Sequence, residues 1–423
     1  GLPLALLLTT NFPAKRPDDW GFFAHRRINR LAVFSLPPEM GVFFKKHADW
    51  LAEHATDPDV RRYVTAHEAP RHYIDLDNYG QPPFANLPRG YADAMAQFTE
   101  IWAVTAAGDT VQVFGNQILA RDSVDIGNRR PEVFFRWTQP PVAAWRDSTL
   151  LRFSARNYRA WVVQQVLPRF YEEEVTLAAD SLAAFLKNEG YDFRPKSVFF
   201  REKLSEHGIL PWHLQKMQRD LTEAFRTKNQ RLILRLCADM GHYIGDAHVP
   251  LHTVSNYNGQ KTGQHGIHAF WESRLPELFA DEQWDFFVGK AAYLADPQAV
   301  FWETVLESNR LADSVLQIEN RLRHVFPTDQ QICPEMRGAR LVLAQCRAFC
   351  EAYQRNLNGM VERRMRAAIH LVASAWYTAW VDAGQPDLSN LEDAPVSEAE
   401  LQEQRRMKML LNGGKILGRY EEH

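Results

Sequence analysis

The sequence predicts an all-α fold. Residues 360–382 place apolar side chains at steps of three and four, the spacing that gives a helix one buried face, and residues 231–247 repeat the pattern. Alternation with a period of two, which is typical of a strand, is clear only in the stretch DTVQVFG, residues 109–115. Further helical stripes lie around residues 22–35, 41–55, 141–188, 211–228 and 340–357.

Composition and charge limit the classes of function. The chain has 423 residues, with 49 Lys and Arg against 52 Asp and Glu, so its formal charge is −3 and no basic excess favours polyanions by bulk electrostatics. No apolar run reaches the length of a membrane span. The short apolar run Leu2 to Leu8 resembles the remainder of a secretory leader, so we expect an exported protein: periplasmic, cell-surface or secreted. Four cysteines leave the disulfide pairing open.

The stretch MGHYIGDAHVPLH, residues 240–252, concentrates polar groups in an apolar helix. His242 and Asp246 are four residues apart, so an imidazole and a carboxylate lie on the same helix face. Pro250 ends or bends the helix, which allows His252 to turn back toward the same side.

The stretch HAFWE repeats this chemistry, because His268 and Glu272 have the same four-residue spacing. A single H-x-x-x-D pair on a helix is most often structural. A cluster of this size is different, because burying so many ionisable groups is costly unless they are paired or bind a metal. Imidazole and carboxylate are ligands that zinc accepts, and a catalytic zinc takes about three of them and keeps one position open. The two stretches together therefore predict a metal centre.

Two earlier segments extend the pattern: WGFFAH, which runs from Trp20 to His25, and RHYIDLD, which contains His72. The order W-G-x-x-x-H, an Asp followed by H-[YF]-x-D, H-x-x-x-D-x-H-x-P-L-H and H-x-x-x-[DE] resembles the superfamily that unites the zinc-dependent bacterial phospholipases C with the single-strand-specific zinc nucleases. The resemblance covers roughly residues 20–80 and 205–275, and its third motif is the most specific.

The resemblance implies a multi-helix domain that binds up to three zinc ions. The first ion would be held by Asp59, His72, His242 and Asp246. The second would be held by Asp246, His25 and the backbone amine and carbonyl of Trp20, and the third by His252, His268 and Glu272.

The catalytic residues implied by the resemblance are Asp59 and Arg62. Asp59 would orient or deprotonate the attacking water, and Arg62 would contact the phosphate. Asp57 competes for the position of Asp59, but Arg62 lies three residues after Asp59, where the resemblance to the nuclease branch implies an arginine near the scissile phosphate. His248 matches no ligand position and is expected behind the ligands or at the surface.

The chain also departs from the family pattern. Trp20 can bind metal through its amine only if processing makes it the first residue, and His72 and His242 are unusually far apart. The expected organisation is a leader-like segment (1–19), a split zinc-binding catalytic domain (20–97 and 199–290), an inserted, mostly helical segment (98–198) and a helical C-terminal extension (291–423). The aromatic residues of the insertion, such as Trp137, Trp145 and Trp161, either line a substrate entrance or pack in a core.

The resulting hypothesis is a zinc-dependent phosphodiester hydrolase of the phospholipase C type. Glu272 and the short interval between His252 and His268 resemble the phospholipase branch of the superfamily, which implies a phospholipid headgroup as the substrate. The W-G-x-x-x-H spacing resembles the nuclease branch, which implies the alternative, a zinc nuclease that prefers single-stranded nucleic acid. A hypothesis of another class is a non-catalytic, zinc-stabilised binding module. The absence of cysteine from the motifs argues against a closed structural zinc site, no H-E-x-x-H peptidase motif occurs, and no protein partner is evident.

Overall fold

The computed structural model describes residues 22–124, 131–145, 151–169, 176–337 and 340–389, together with positions 391, 398, 401, 402 and 405. The chain forms two compact units. The first unit comprises residues 1–64 and 217–423, and the second comprises residues 65–216. The predicted ligand Trp20 lies outside the described residues.

Helices make up most of the described structure. They are α1 (Phe22–Ala32), α2 (Pro38–Lys46), α3 (Ala48–Glu53), α4 (Asp57–Arg61), α5 (Tyr91–Phe98), α6 (Ala155–Gln165), α7 (Ala179–Asn188), α8 (Leu210–Arg226), α9 (Gln230–Ala247), α10 (Ile267–Ala269), α11 (Leu275–Gln283), α12 (Pro297–Val325), α13 (Arg347–Asn356) and α14 (Met360–Asp382). The helices predicted over residues 231–247 and 360–382 are confirmed by α9 and α14.

The all-α prediction is wrong, because the described residues also form three antiparallel sheets and the fold is mixed α/β. The strands are β1 (Glu100–Val104), β2 (Thr110–Phe114), β3 (Leu119–Val124), β4 (Glu132–Trp137), β5 (Arg152–Ser154), β6 (Thr176–Leu177), β7 (Ser197–Arg201), β8 (Ile332–Arg337) and β9 (Arg340–Gln345). The sheet orders are β2-β1-β7-β6, β3-β4-β5 and β8-β9. Strands β1 to β6 and the start of β7 lie within residues 98–198, so the expectation that this segment is mostly helical is wrong.

Strand β1 shows one reason why strands were not predicted: it is short and has apolar residues on both faces. In β1 the side chains of Ile101 and Ala103 are buried, but Trp102 and Val104 on the other face are also apolar. A strand of this kind shows no alternation of polar and apolar residues, so periodicity does not reveal it. The strand suggested by DTVQVFG does alternate in part, and it is confirmed as β2.

The second unit is built around an aromatic core. Trp137, Trp145 and Trp161 are all buried, and Phe114 and Phe153 contact the Trp137 ring. The Trp137 indole Nε1 donates a hydrogen bond to the Val113 carbonyl at 2.6 Å, so the polar atom of this ring is satisfied. These tryptophans therefore have the role of core residues and not of a substrate entrance.

The first unit has a helical core in which α1 contacts α3, α9 and α14. A separate apolar cluster joins the turn after α9 to α11, α12 and α13. Cys333 and Cys346 form a disulfide at the base of the β8-β9 hairpin, while Cys237 and Cys350 are free and buried. Across the described ranges no helix combines the length and the apolarity needed to cross a bilayer.

Candidate metal centre

Most of the predicted ligands meet inside the first unit. His25 lies on α1, Asp59 on α4, and His242 and Asp246 on α9. The remaining ligands follow α9: His252 lies in a short 3₁₀ turn, His268 on α10 and Glu272 in the π-helical turn Phe270–Arg274. None of these seven side chains belongs to a residue more than 5% exposed. A cluster of this composition is costly to bury unless its charges are neutralised.

Asp246 lies between two imidazoles. Its Oδ1 is 3.4 Å from His25 Nε2, and its Oδ2 is 3.3 Å from His242 Nε2. The two rings stack with their centroids 4.0 Å apart. His25, His242 and Asp246 thus form one buried group whose ligand atoms lie within 4.8 Å of one another. The two carboxylate oxygens face different rings, which is the arrangement required of a bridging ligand.

Glu272 is the second carboxylate that connects imidazoles. Its Oε1 is 3.2 Å from His25 Nε2, and its Oε2 is 2.8 Å from His268 Nε2 and 3.4 Å from His252 Nε2. Burial alone raises the pKa of the Glu272 carboxyl, but hydrogen bonds from the three histidines hold that pKa well below its usual range. The carboxylate form is therefore favoured. A π-helical turn at Glu272 is also common at functional sites.

Asp59 and Asp57 differ in their surroundings. Asp59 is buried, with Oδ1 3.6 Å from His242 Nε2. The Asp57 side chain is 43% exposed, and its Oδ2 is 2.6 Å from His54 Nδ1. The structure therefore brings Asp59 to the cluster and leaves Asp57 at the surface. Arg62, which follows α4, is buried with its Nη1 3.7 Å from Asp59 Oδ1.

His72 belongs to the second unit and is described within it. Its side chain is buried, and its Nε2 lies 3.7 Å from Glu68 Oε1. Glu68 in turn accepts a hydrogen bond from Arg71 at 2.8 Å. The place of His72 among the metal ligands stays a prediction, as does that of Trp20.

The donor atoms of the first unit fit the chemistry of a metal ion such as zinc. Zinc binds nitrogen and oxygen ligands at about 2.0–2.1 Å, and a tetrahedral arrangement then separates neighbouring donors by roughly 3.3 Å. The nitrogens of His25 and His242 lie 3.4 and 3.3 Å from Asp246, and that of His252 lies 3.9 Å from it. The separations around Glu272 range from 2.8 to 3.4 Å. His252, His268 and Glu272 form a second buried group that could hold an ion. The donor atoms and their separations limit the metal ions that could bind here but do not identify one.

Two glycines of α9 bring α1 close enough for His25 to reach the cluster. A Cβ atom at Gly245 would lie 2.8 Å from His25 Nδ1, and one at Gly241 would lie 1.8 Å from Asn29 Oδ1. Asn29 is fully buried and donates hydrogen bonds to Ala238 O at 3.0 Å and Leu51 O at 3.2 Å, which fixes α1 against α9 and α3. In the sequence, this contact is indicated by two glycines four residues apart in an apolar helix. The prediction of ligands from the motifs did not use these glycines.

Gly245→Ala is expected to displace the His25 ring, because a methyl group would enter the space next to Nδ1. Nothing else in the ligand set changes. We expect bound metal to fall by about one ion per chain, with a loss of stability of roughly 1–3 kcal/mol for overpacking. Elemental analysis and thermal unfolding measure both effects. Gly41→Ala on α2 is the matched control, since the nearest atom there is 4.0 Å from the added Cβ. Unchanged metal content in Gly245→Ala would contradict the role of this contact.

Backbone carbonyls and one arginine hold α9 and its following turn. His242 Nδ1 lies 2.8 Å from Ala55 O, so an Nδ1–H can donate there, and this bond orients the ring with its Nε2 toward Asp246. Arg364 on α14 donates from Nε to His248 O at 3.0 Å and from Nη2 to Ser308 Oγ at 2.6 Å. Ser308 Oγ donates to Ala247 O at 2.6 Å. In the sequence, the position of Arg364 within the apolar stripe of α14 indicates that this arginine is buried and needs partners.

His248 is buried and belongs to neither of the two groups of candidate ligands. Its Nδ1 lies 2.7 Å from the Ile244 carbonyl of its own helix. Burial, together with the nearby Arg364 guanidinium, lowers the pKa of His248 to about 3. A neutral ring that donates to Ile244 O stabilises the end of α9. The structure thus places His248 behind the ligands, as one of the two expectations from the sequence has it.

No protein-family model matches the chain, and no curated protein is significantly similar to it. The function is therefore argued from the side chains of the centre itself.

Proposed function

We propose that the protein is a zinc-dependent phosphodiester hydrolase of the phospholipase C type. The observation that carries the proposal is the position of Asp246 and Glu272, each of which faces imidazoles from two directions inside a buried cluster. Bridging carboxylates surrounded by histidines are suited to hold several ions close together. Oxygen and nitrogen donors without cysteine are typical of catalytic zinc sites.

Zinc held by these residues would lower the pKa of a bound water toward about 7 and would draw charge from a phosphoryl group. Asp59 supplies a buried carboxylate that can accept the proton of an attacking water. Arg62 supplies a buried guanidinium whose two parallel N–H groups match a phosphate. The Ala55 carbonyl lies 2.8 Å from His242 Nδ1 and so orients the ring with its Nε2 toward Asp246.

The zinc-stabilised binding module is the weaker proposal. A structural site would be closed by a tetrahedral, Cys-rich set. In the first unit, the two free cysteines, Cys237 and Cys350, are buried and neither belongs to a candidate metal group. The four histidines and three carboxylates of the cluster exceed the four ligands that one structural zinc needs.

The deciding experiment measures metal content and hydrolysis on the same sample. We expect two to three zinc ions per chain and turnover of a soluble phosphodiester such as bis(p-nitrophenyl) phosphate. Phosphatidylcholine and single-stranded DNA are then compared at equal phosphodiester concentration. Faster cleavage of phosphatidylcholine supports the phospholipase proposal, and faster cleavage of DNA replaces it with the nuclease. Stoichiometric zinc without hydrolysis of any substrate would favour the binding module.

A further inference from the structure

Helix α4 is too short to hold its own position. It has five residues, Asp57–Arg61, which is little more than one turn, and an isolated helix of that length is not stable in water. The side chain of its N-cap residue, Thr56, makes no capping hydrogen bond. Asp59 lies within this helix and Arg62 follows it directly. The positions of both side chains therefore depend on the contacts that attach α4 to the rest of the first unit.

Two contacts attach this part of the chain to α9, one on each side of Asp59. Before Asp59, the Ala55 carbonyl lies 2.8 Å from His242 Nδ1. After Asp59, Arg61 forms a bidentate ion pair with Asp239, in which Nη1 is 3.2 Å from Oδ1 and Nη2 is 3.0 Å from Oδ2. We call this second contact the α4–α9 ion pair. It holds the C-terminal end of α4 against the helix that carries two of the predicted metal ligands.

The α4–α9 ion pair is largely removed from water. The Arg61 side chain is 19% exposed and that of Asp239 is 11% exposed. Arg61 Nη2 also lies 3.4 Å from the hydroxyl of Tyr243, a buried residue of α9. Two parallel N–H···O contacts between planar groups fix both the distance and the orientation of the partners. Because the pair is largely buried, salt screens it less than it screens a surface pair.

We infer that Arg61 and Asp239 are positioning residues that hold Asp59 and Arg62 in place for the reaction. The inference rests on the proposed function, in which Asp59 accepts a proton from water and Arg62 contacts phosphate. Asp239 lies three residues before His242 on α9, and Arg61 lies two residues after Asp59. The α4–α9 ion pair therefore lies close in the chain to both partners of the 3.6 Å contact between Asp59 Oδ1 and His242 Nε2.

Asp59 and Arg62 do not fix each other. The distance from Arg62 Nη1 to Asp59 Oδ1 is 3.7 Å, which is longer than a hydrogen bond. A catalytic group that moves by about 1 Å can lose roughly a hundredfold in rate. Loss of a group that orients a metal ligand typically costs about 10–100-fold in metal affinity or activity. These magnitudes set the expected effects of breaking the α4–α9 ion pair.

The kinetic test uses Asp239→Asn in the zinc-loaded protein, well below its melting temperature. The amide keeps the shape of the side chain and loses the charge that pairs with Arg61. We expect kcat on bis(p-nitrophenyl) phosphate, measured at saturating zinc, to fall by roughly 10–100-fold. Asp49→Asn is the matched control, because the Asp49 side chain is 84% exposed and pairs with Arg30 at 2.6 Å. It is expected to change kcat by less than about twofold.

Arg61→Ala tests the same contact from its other side. We expect it to lower kcat about as much as Asp239→Asn does, and the double variant to lose no more than either single variant, because both substitutions break one contact. Additive losses in the double variant would overturn the inference. So would a wild-type kcat in the single variants together with a lower melting temperature, since the ion pair would then stabilise the fold without positioning Asp59 or Arg62.

Zinc affinity gives a readout that does not need turnover. We expect Asp239→Asn to release one zinc ion at a roughly tenfold lower chelator concentration than wild type does, because Asp59 is a predicted zinc ligand. Asp49→Asn should release zinc as wild type does. If wild type hydrolyses no phosphodiester, the proposed function fails, and zinc release alone decides whether the ion pair positions Asp59. Equal release by Asp239→Asn and wild type would then overturn the inference.

Discussion

Asp246→Asn is expected to lower kcat/KM on a soluble phosphodiester by at least about a thousandfold, equivalent to roughly 4 kcal/mol of transition-state stabilisation. The amide keeps the shape of the side chain but loses its charge and one of its two oxygen acceptors. Both oxygens are engaged in the native protein, one facing His25 and the other facing His242. The variant should therefore also bind less metal. Steady-state kinetics and elemental analysis on the same sample measure the two effects.

A pair of neighbouring aspartates provides the control for charge loss. Asp57→Asn should change activity by less than about twofold, because that carboxylate is partly exposed and bonded to His54. Asp59→Asn, two residues away on the same helix, should lose most of the activity, because its carboxylate is buried and faces His242. If Asp246→Asn turned over substrate at the wild-type rate with full metal content, the catalytic assignment would be wrong.

The sequence could predict the parts of the centre that depend on local spacing. His242 with Asp246, and His268 with Glu272, are four residues apart, and the Nε2 atoms of these histidines face the paired carboxylates at 3.3 and 2.8 Å. The link between the two pairs was not predictable, because it runs through His25 on a helix more than 200 residues away. That link depends on the close approach of α1 to α9, which Gly245 permits. Tertiary packing, and not spacing, brings the ligands into one cluster.

The errors of the fold prediction have a related cause. Residues 340–357 have a helical stripe, yet residues 340–345 form β9 and the helix begins at Arg347. Strand β9 contains four consecutive apolar residues, of which Leu341 and Leu343 are exposed, so it shows no alternation of apolar and polar residues. A search for strands with a buried apolar face cannot recognise such a hairpin.

Removal of metal by a chelator is expected to abolish hydrolysis and to lower the melting temperature of the protein by about 10 °C or more. An ion that binds only the folded chain stabilises it by roughly 4 kcal/mol when its free concentration is a thousand times its Kd. Each kcal/mol corresponds to about 2–4 °C for a domain of 150–250 residues. Calorimetry before and after chelation, with metal content measured on both samples, tests the expectation. Added zinc should restore the original transition, and Asp246→Asn should respond less.

The size of this change in melting temperature decides whether the cluster is a metal-binding site or a core of polar groups that pair with one another. His268 and Glu272 are already within hydrogen-bonding distance, so protonated histidines could neutralise part of the carboxylate charge without metal. Such pairing is incomplete, because His25 Nδ1 is buried and makes no hydrogen bond within the protein. Four imidazoles and three carboxylates also cannot all pair at these separations without costly buried charge. A metal-free protein that melts at the same temperature as the metal-loaded protein would contradict this reasoning. The polar groups of the cluster would then stabilise one another without metal.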